Sequence, residues 1–358
     1  MFQADHFEGN LLLVNDAPII SGIGRYANDL LQSVNGKGRM ISFVMDKRYI
    51  RQDFPGLKRE GVFIPGVHGG WSINNMFSRL IFTKEFKLIK EKLDSGGIIH
   101  YTNPQIKPLK HNGNNVVTVH DLFFYKDKKK SNDKVRKALI RNIEVYKNFD
   151  NILTVSKTMK EEISESGFEG NIVSIYPPVS KAFTFIPDKS SLRKKLNFPE
   201  DKKLVLSVST NVKRKNVETV VKTMKLLGED YMLIRVGADV GTGITFSGIS
   251  YEKLNEIYNA CDVFLFPTLG EGFGLPVIEA MATGLPVVAS NIDIMKETTS
   301  NAAVLTEPTP EASAEGVNEV LTNREKYIEL GLKRSSEFSF EKFKQEVVSY
   351  YNGIIDKL

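Results

Sequence analysis

At 358 residues, 41% apolar and one-quarter charged, the chain has the balance of a soluble globular protein and the length for two domains. Its longest apolar runs, such as Leu11-Leu-Leu-Val14, fall far short of the ~18–20 residues that span a bilayer, and its start has no basic-then-apolar secretory pattern. The net charge of +5 is uneven: residues 1–176 carry +7, residues 177–358 carry −2, and all five histidines lie in the first part.

Short apolar runs alternate with longer amphipathic stretches. Residues 10–15, 40–45, 97–101, 115–120, 151–155 and 172–176 read as strands, and 24–33, 78–93, 133–148 and 157–166 as helices. That alternation is the pattern of a doubly wound parallel sheet. Near the start, Ser21-Gly-Ile-Gly-Arg-Tyr26 is a glycine-bearing stretch in which Gly22 and Gly24 permit close backbone approach. His120 ends a strand and precedes Asp121; taken alone, such a histidine is usually a satisfied core or surface imidazole.

Pro177-Pro178 and the polar stretch 187–203 break the pattern and mark a linker. A second series follows, with strands over 204–209, 232–236, 244–246, 263–266 and 287–289. The expected division is therefore 1–178, linker 179–203, second domain 204–338 and a final helix over 339–358 that crosses back to the first domain. That helix carries Phe343, Val347, Tyr350, Tyr351 and Ile354 at helical spacing.

The second series carries the chemistry. Lys213-Arg-Lys-Asn216 follows a strand and opens a helix; two cations there can neutralise a diphosphate leaving group, although such a run alone also reads as a solvated turn. Cys261, the only cysteine, rules out an internal disulfide, fits a reducing cytoplasm and reads as buried packing. Asp262-Val-Phe-Leu-Phe-Pro267 is an apolar run stopped by proline, a buried parallel strand. Glu271-Gly-Phe-Gly-Leu-Pro-Val-Ile-Glu279 then sets two carboxylates eight apart around a glycine pair and a helix with Pro276 at its first position, Glu271 in the loop and Glu279 in the first turn. A helix N-terminus favours phosphate, and two acids beside it suit sugar and ribose hydroxyls, so the segment reads as a nucleotide-sugar site.

These motifs, in this order, resemble glycosyltransferase family 4, a retaining family of GT-B fold with two Rossmann-like domains facing a central cleft. The resemblance covers nearly the whole chain and implies roles residue by residue. Arg214 and Lys215 would bind the diphosphate, Glu271 the donor-sugar hydroxyls and Glu279 the ribose. The backbone of Gly272, Phe273 and Gly274 would lie beside the sugar, and Leu275 would approach the phosphates. His120 would face the donor sugar, with Gly22 and Gly24 at the cleft. Where the family usually has glycine this chain has Ser21, which questions the tightness of that turn.

The expected function is transfer of a hexosyl group, mannose or glucose, from GDP-mannose or UDP-glucose to a glycan, lipid-linked or small-molecule hydroxyl. Residues 247–251 are the expected base contacts. With no Asp-x-Asp, cysteine pair or spaced histidines, no metal or other cofactor is expected. The basic first part reads either as a contact with an anionic partner such as a membrane surface or as scattered solubilising lysines. Residues 126–130 are a basic loop, and 71–93 reads either as a peripheral membrane-surface stripe or, as such stripes more often are, as packing on its own sheet. No nucleic-acid partner is expected, and the location is cytoplasmic. The rivals are a sugar-nucleotide epimerase of the same fold and a non-catalytic nucleotide-sugar-binding subunit.

Overall fold

The computed structural model describes residues 6–15, 17, 21–42, 97–106, 108, 114–123 and 134–357. The helix expected over 78–93, the stretch 71–93, the loop 126–130 and the end of the strand expected over 40–45 lie outside those residues. The chain divides into two compact units: Met1–Pro177 with Glu341–Leu358, and Pro178–Phe340.

In the first unit the described elements are β1 (Leu11–Asn15), α1 (Gly22–Ser33), β2 (Gly38–Ser42), β3 (Ile98–Tyr101), β4 (Asn114–Val119), α2 (Lys134–Tyr146), β5 (Asn151–Thr154), α3 (Lys157–Glu165) and β6 (Asn171–Ser174). The strands are parallel in the order β2-β1-β3-β4-β5-β6. Every residue of β1 and β3 is buried, which is why these segments read as unbroken apolar runs rather than alternating ones. Leu12, Val14, Ile99, Val117 and Ile152 join Met159 and Ile163 of α3 in one core.

The second unit runs α4 (Lys189–Leu196), β7 (Lys203–Val208), a 3-10 turn (Lys213–Lys215), α5 (Val217–Leu227), β8 (Tyr231–Val236), β9 (Ile244–Phe246), α6 (Tyr251–Ala260), β10 (Val263–Phe266), α7 (Leu275–Ala282), β11 (Val287–Ser290), α8 (Asp293–Thr299), β12 (Val304–Thr306), α9 (Pro310–Thr322) and α10 (Arg324–Ser336). Its parallel sheet has the order β9-β8-β7-β10-β11-β12. The winding direction reverses between β7 and β10, and the carboxyl ends of those two strands flank the crevice where open α/β sheets bind ligands. Separate apolar layers cover the two faces, one including Phe264, Phe266 and Val277, the other Val205, Leu265 and Val317.

The stretch 179–203, expected as a linker, is part of this unit. It holds α4, whose Leu192 and Leu196 enter the core with Phe183 and Phe198. Polar anchors secure it. Arg193 Nη2 and Lys189 Nζ donate to the two oxygens of Asp262 at 2.5 and 3.0 Å, and the Leu204 amide donates to the same carboxylate at 2.7 Å. The cations draw the Asp262 carboxyl below its usual range against the opposing effect of burial.

The last helix, α11 (Phe340–Ile355), buries Phe343, Val347, Val348, Tyr351 and Ile354 on one face. That face meets the first unit: Phe343 lies edge-on to Tyr26, and the Tyr351 hydroxyl is 2.6 Å from His100 Nδ1.

Candidate functional site

After β7 the chain turns through Lys213–Lys215 and enters α5 through Asn216, which takes the left-handed conformation (φ 52°). The Asn216 side chain donates through Nδ2 to the Pro308 carbonyl at 3.0 Å and fixes that turn. After β10, the Leu269 amide donates to the Arg214 carbonyl at 2.7 Å, so the two loops on either side of the winding reversal are bound together.

Glu271 is where their side chains meet. Arg214 Nη1 donates to Glu271 Oε2 at 3.1 Å and to the Gly270 carbonyl at 3.0 Å. Lys215 Nζ makes a short ion pair with Glu271 Oε1, and Thr268 Oγ1 donates to the same oxygen at 3.0 Å. Side-chain exposure falls from 33% at Arg214 to 12% at Lys215 and 7% at Glu271. Lys215 also lies 5.3 Å from the centroid of the Phe266 ring. Two partly exposed cations against one buried carboxylate leave this cluster with excess positive charge at a strand end. Glu271 is thus more than a loop acid awaiting a sugar: it orders both cations.

Gly274 precedes α7 with φ 99° and ψ 48°, and a Cβ there would stand 2.7 Å from Met295 Cε. Glycine meets both the conformation and the space. Leu275, rather than Pro276, opens the helix, so Glu279 sits in the second turn and not in the first, as expected from sequence. Glu279 is buried and accepts from the buried Tyr258 hydroxyl at 3.1 Å. Phe273 is a core anchor: its ring meets Phe338 edge-on at 5.4 Å, and its carbonyl accepts from Thr298 Oγ1 at 2.6 Å. Gly272 lies between it and Glu271, half-buried.

In the first unit, Ser21 caps α1 from an extended conformation, its hydroxyl accepting from the Gly24 amide at 3.0 Å. Serine therefore suits this turn, where glycine was the family expectation. Gly22 and Gly24 occupy the first helical turn. His120 Nε2 donates to the Thr102 carbonyl at 2.9 Å, and the ring meets Tyr26 edge-on at 4.9 Å. Burial pushes the His120 pKa down to about 4, against the carbonyl bond that favours the charged form. At neutral pH the ring is uncharged, and donation from Nε2 leaves Nδ1 as its acceptor. His100 is a core residue bridging Tyr351 and Thr118, with its pKa lowered to about 3 by burial and then by His120.

Thr268 and Tyr258, which orient the two glutamates, were not singled out from sequence. Neutral hydroxyls leave no signal there beyond position, Thr268 three residues before Glu271. Among the described residues no cluster of three His, Cys, Asp or Glu side chains could hold a metal, and no helix is long and apolar enough to cross a membrane.

Residues 188–333, within the second unit, match the family model described as Glycosyl transferases group 1. Among solved structures, HepE of Anabaena in complex with UDP-glucose has a TM-score of 0.78 at 15% identity, covering 97% of this chain and 100% of that one. Sucrose-phosphate synthase of Thermosynechococcus elongatus has a TM-score of 0.77 at 20% identity, covering 98% and 100%. The fold is GT-B. In sequence, the chain is 28% identical over 234 residues to the O-antigen chain mannosyltransferase RfbU of Salmonella typhimurium, a match covering 60% of this chain and 61% of that protein. It is 25% identical over 212 residues to the serotype-specific mannosyltransferase WbdA of Escherichia coli, covering 51% and 26%. The chain thus spans about three-fifths and one-quarter of those relatives.

Proposed function

We propose that this protein is a retaining glycosyltransferase that moves a hexosyl group from a nucleoside diphosphate sugar to a hydroxyl of a glycan or lipid-linked acceptor, without a metal. The observation that carries the reading is the Arg214–Lys215–Glu271–Thr268 cluster at the winding reversal of the second sheet. When the bond to the anomeric carbon breaks, negative charge grows on the departing diphosphate. Two preorganised cations at a strand end stabilise it there, the work a divalent ion does in metal-dependent transferases. In this reading the leaving phosphate accepts the acceptor hydroxyl's proton, while Glu271 meets sugar hydroxyls and Glu279 the ribose. Likeness to two mannosyltransferases supports mannose as the transferred sugar, and likeness to a UDP-glucose complex keeps glucose beside it. The positive charge of residues 1–176 supports a peripheral contact with anionic lipid on the cytoplasmic side.

Incubating the protein with GDP-mannose, UDP-glucose and related donors in excess EDTA, and following nucleoside diphosphate release, tests this. Turnover should persist, with retention at the anomeric centre, and Lys215→Ala should cut kcat by at least ~10²-fold while the protein stays folded. Activity lost in EDTA and restored by magnesium or manganese would remove the metal-free mechanism. An unchanged Lys215→Ala variant would reduce the cluster to a solvated turn.

A further inference from the structure

Arg235 lies on β8, beside β7 and on the side away from β10, and is completely buried. Its guanidinium addresses only oxygen atoms at the carboxyl ends of β7 and β8. Nη1 donates to the carbonyls of Ser207 and Val236 at 3.1 and 3.2 Å, and Nη2 to the Ser209 carbonyl at 2.5 Å, with the Ser209 hydroxyl oxygen at 3.1 Å. No described carboxylate forms a salt bridge with it, and its Nε has no partner. Gly237 makes the room: with φ 150°, a Cβ there would stand 2.2 Å from the Ser209 carbonyl oxygen and 2.8 Å from Arg235 Nη2. Arg235 and Gly237 are therefore a matched pair.

Carbonyl dipoles satisfy the N–H groups but do not cancel the charge, and guanidinium stays protonated in proteins. A buried cation without a counter-ion is expensive, and a hydrophobic residue on a central strand would avoid the cost. The charge stands at the end of the sheet from which Ser209 leads, through three residues, to Lys213.

We propose that Arg235 is a positioning residue of the diphosphate subsite, holding the Ser209 backbone from which the Lys213–Lys215 turn departs and adding a fixed buried positive charge to the field at that strand end. It acts without touching the ligand, and the inference rests on the nucleotide-sugar reading of the site. Strands β8 and β10 flank β7, so their ends lie ~10 Å apart. At that separation, and at an effective dielectric of ~20, one unit charge changes affinity for another roughly tenfold.

The test is calorimetry of the full chain and its Arg235→Met and Arg235→Lys variants with UDP, GDP, uridine and guanosine. The readout is the ratio of nucleoside Kd to nucleoside diphosphate Kd. Arg235→Met should lower that ratio about tenfold, whereas Arg235→Lys, which keeps the charge, should leave it within about twofold. A merely structural role weakens nucleoside and diphosphate together and leaves the ratio unchanged in both variants. That result, or a Lys variant falling as far as the Met variant, overturns the inference. If the Met chain does not fold, Arg235→Gln, which keeps a donor for Ser209 but no charge, carries the same expectation. Wild-type protein that binds neither UDP nor GDP would overturn the nucleotide-sugar reading itself. Normal wild-type binding with an unchanged ratio overturns only the role of Arg235.

Discussion

Glu271 and Glu279 are separated by eight positions, yet they engage different groups. Glu271 is bound by two cations and a threonine hydroxyl, and Glu279 is buried against the Tyr258 hydroxyl. Removing each should have a different consequence. Glu271→Ala releases Arg214 and Lys215 from their carboxylate, so affinity for a free nucleoside diphosphate should hold or rise while transfer collapses. Glu279→Ala removes the proposed ribose acceptor and the Tyr258–Glu279 hydrogen bond, leaving the Tyr258 hydroxyl to the Pro276 carbonyl at 3.3 Å. Diphosphate and sugar-nucleotide affinities should therefore both fall, by roughly tenfold for a lost hydrogen bond to a charged group. Calorimetry with both ligands decides between the assignments; equal loss of diphosphate affinity in the two variants would leave only a shared electrostatic pocket. The charged members of the site were legible because Lys213-Arg-Lys and Glu271 each follow an apolar run that ends a strand. Thr268 and Tyr258 were not, since an unremarkable hydroxyl becomes an orienting group only once the fold sets it beside a carboxylate. Arg235 was hidden for another reason: inside an apolar strand, a lone arginine reads as an interruption rather than as part of a strand-end cluster.

At the scale of elements, the parallel strands were the most legible part of the fold. Burial on both faces imposes continuous apolar runs, as in Val263-Phe-Leu-Phe266, and these survive in the sequence without any partner being known. Helix α4 shows the converse. Lys189-Ser-Ser-Leu-Arg-Lys-Lys-Leu196 looks like a solvated linker, and what seats it is Asp262, about seventy residues away, meeting Lys189 and Arg193. Local composition cannot announce an anchor of that kind. The start of α7 was misjudged by one residue because proline suggests its own first-turn position, whereas Gly274 in the left-handed region sets the cap. That cap is testable. Gly274→Ala forces a side chain into φ 99° and against Met295, which costs about 1–3 kcal/mol and should lower Tm by several degrees. An unchanged melting curve would mean that the loop relaxes freely and that the glycine has no conformational role.

For the molecule as a whole, charge distribution predicts a direction of pH dependence. Burial lowers the pKa of His100 to about 3 and that of His120 to about 4, from an ordinary 6.5. Between pH 6.5 and 4 the unfolded chain therefore binds up to two protons at these positions that the folded chain refuses, and stability falls as pH falls. Asp29 works the other way. Burial raises its pKa to about 7 against the lowering effect of Arg25, so over the same window the folded chain holds a proton that the unfolded chain gives up. At these three positions two histidines against one aspartate leave a net excess of about one proton on the unfolded side, from which Glu346, its carboxyl pKa raised by burial, subtracts toward pH 5. The expected slope is ~1 kcal/mol of stability lost per unit of pH from 6.5 to 5, since one proton corresponds to ~1.4 kcal/mol per unit. Urea unfolding followed by circular dichroism at pH 6.5, 5.75 and 5 measures it. His100→Gln removes one of the two opposed protons while keeping a polar group between Thr118 and Tyr351, so its slope over this window should drop to near zero. A wild-type stability that is flat or rises on acidification would mean that water reaches these imidazoles and that neither histidine is held neutral by burial.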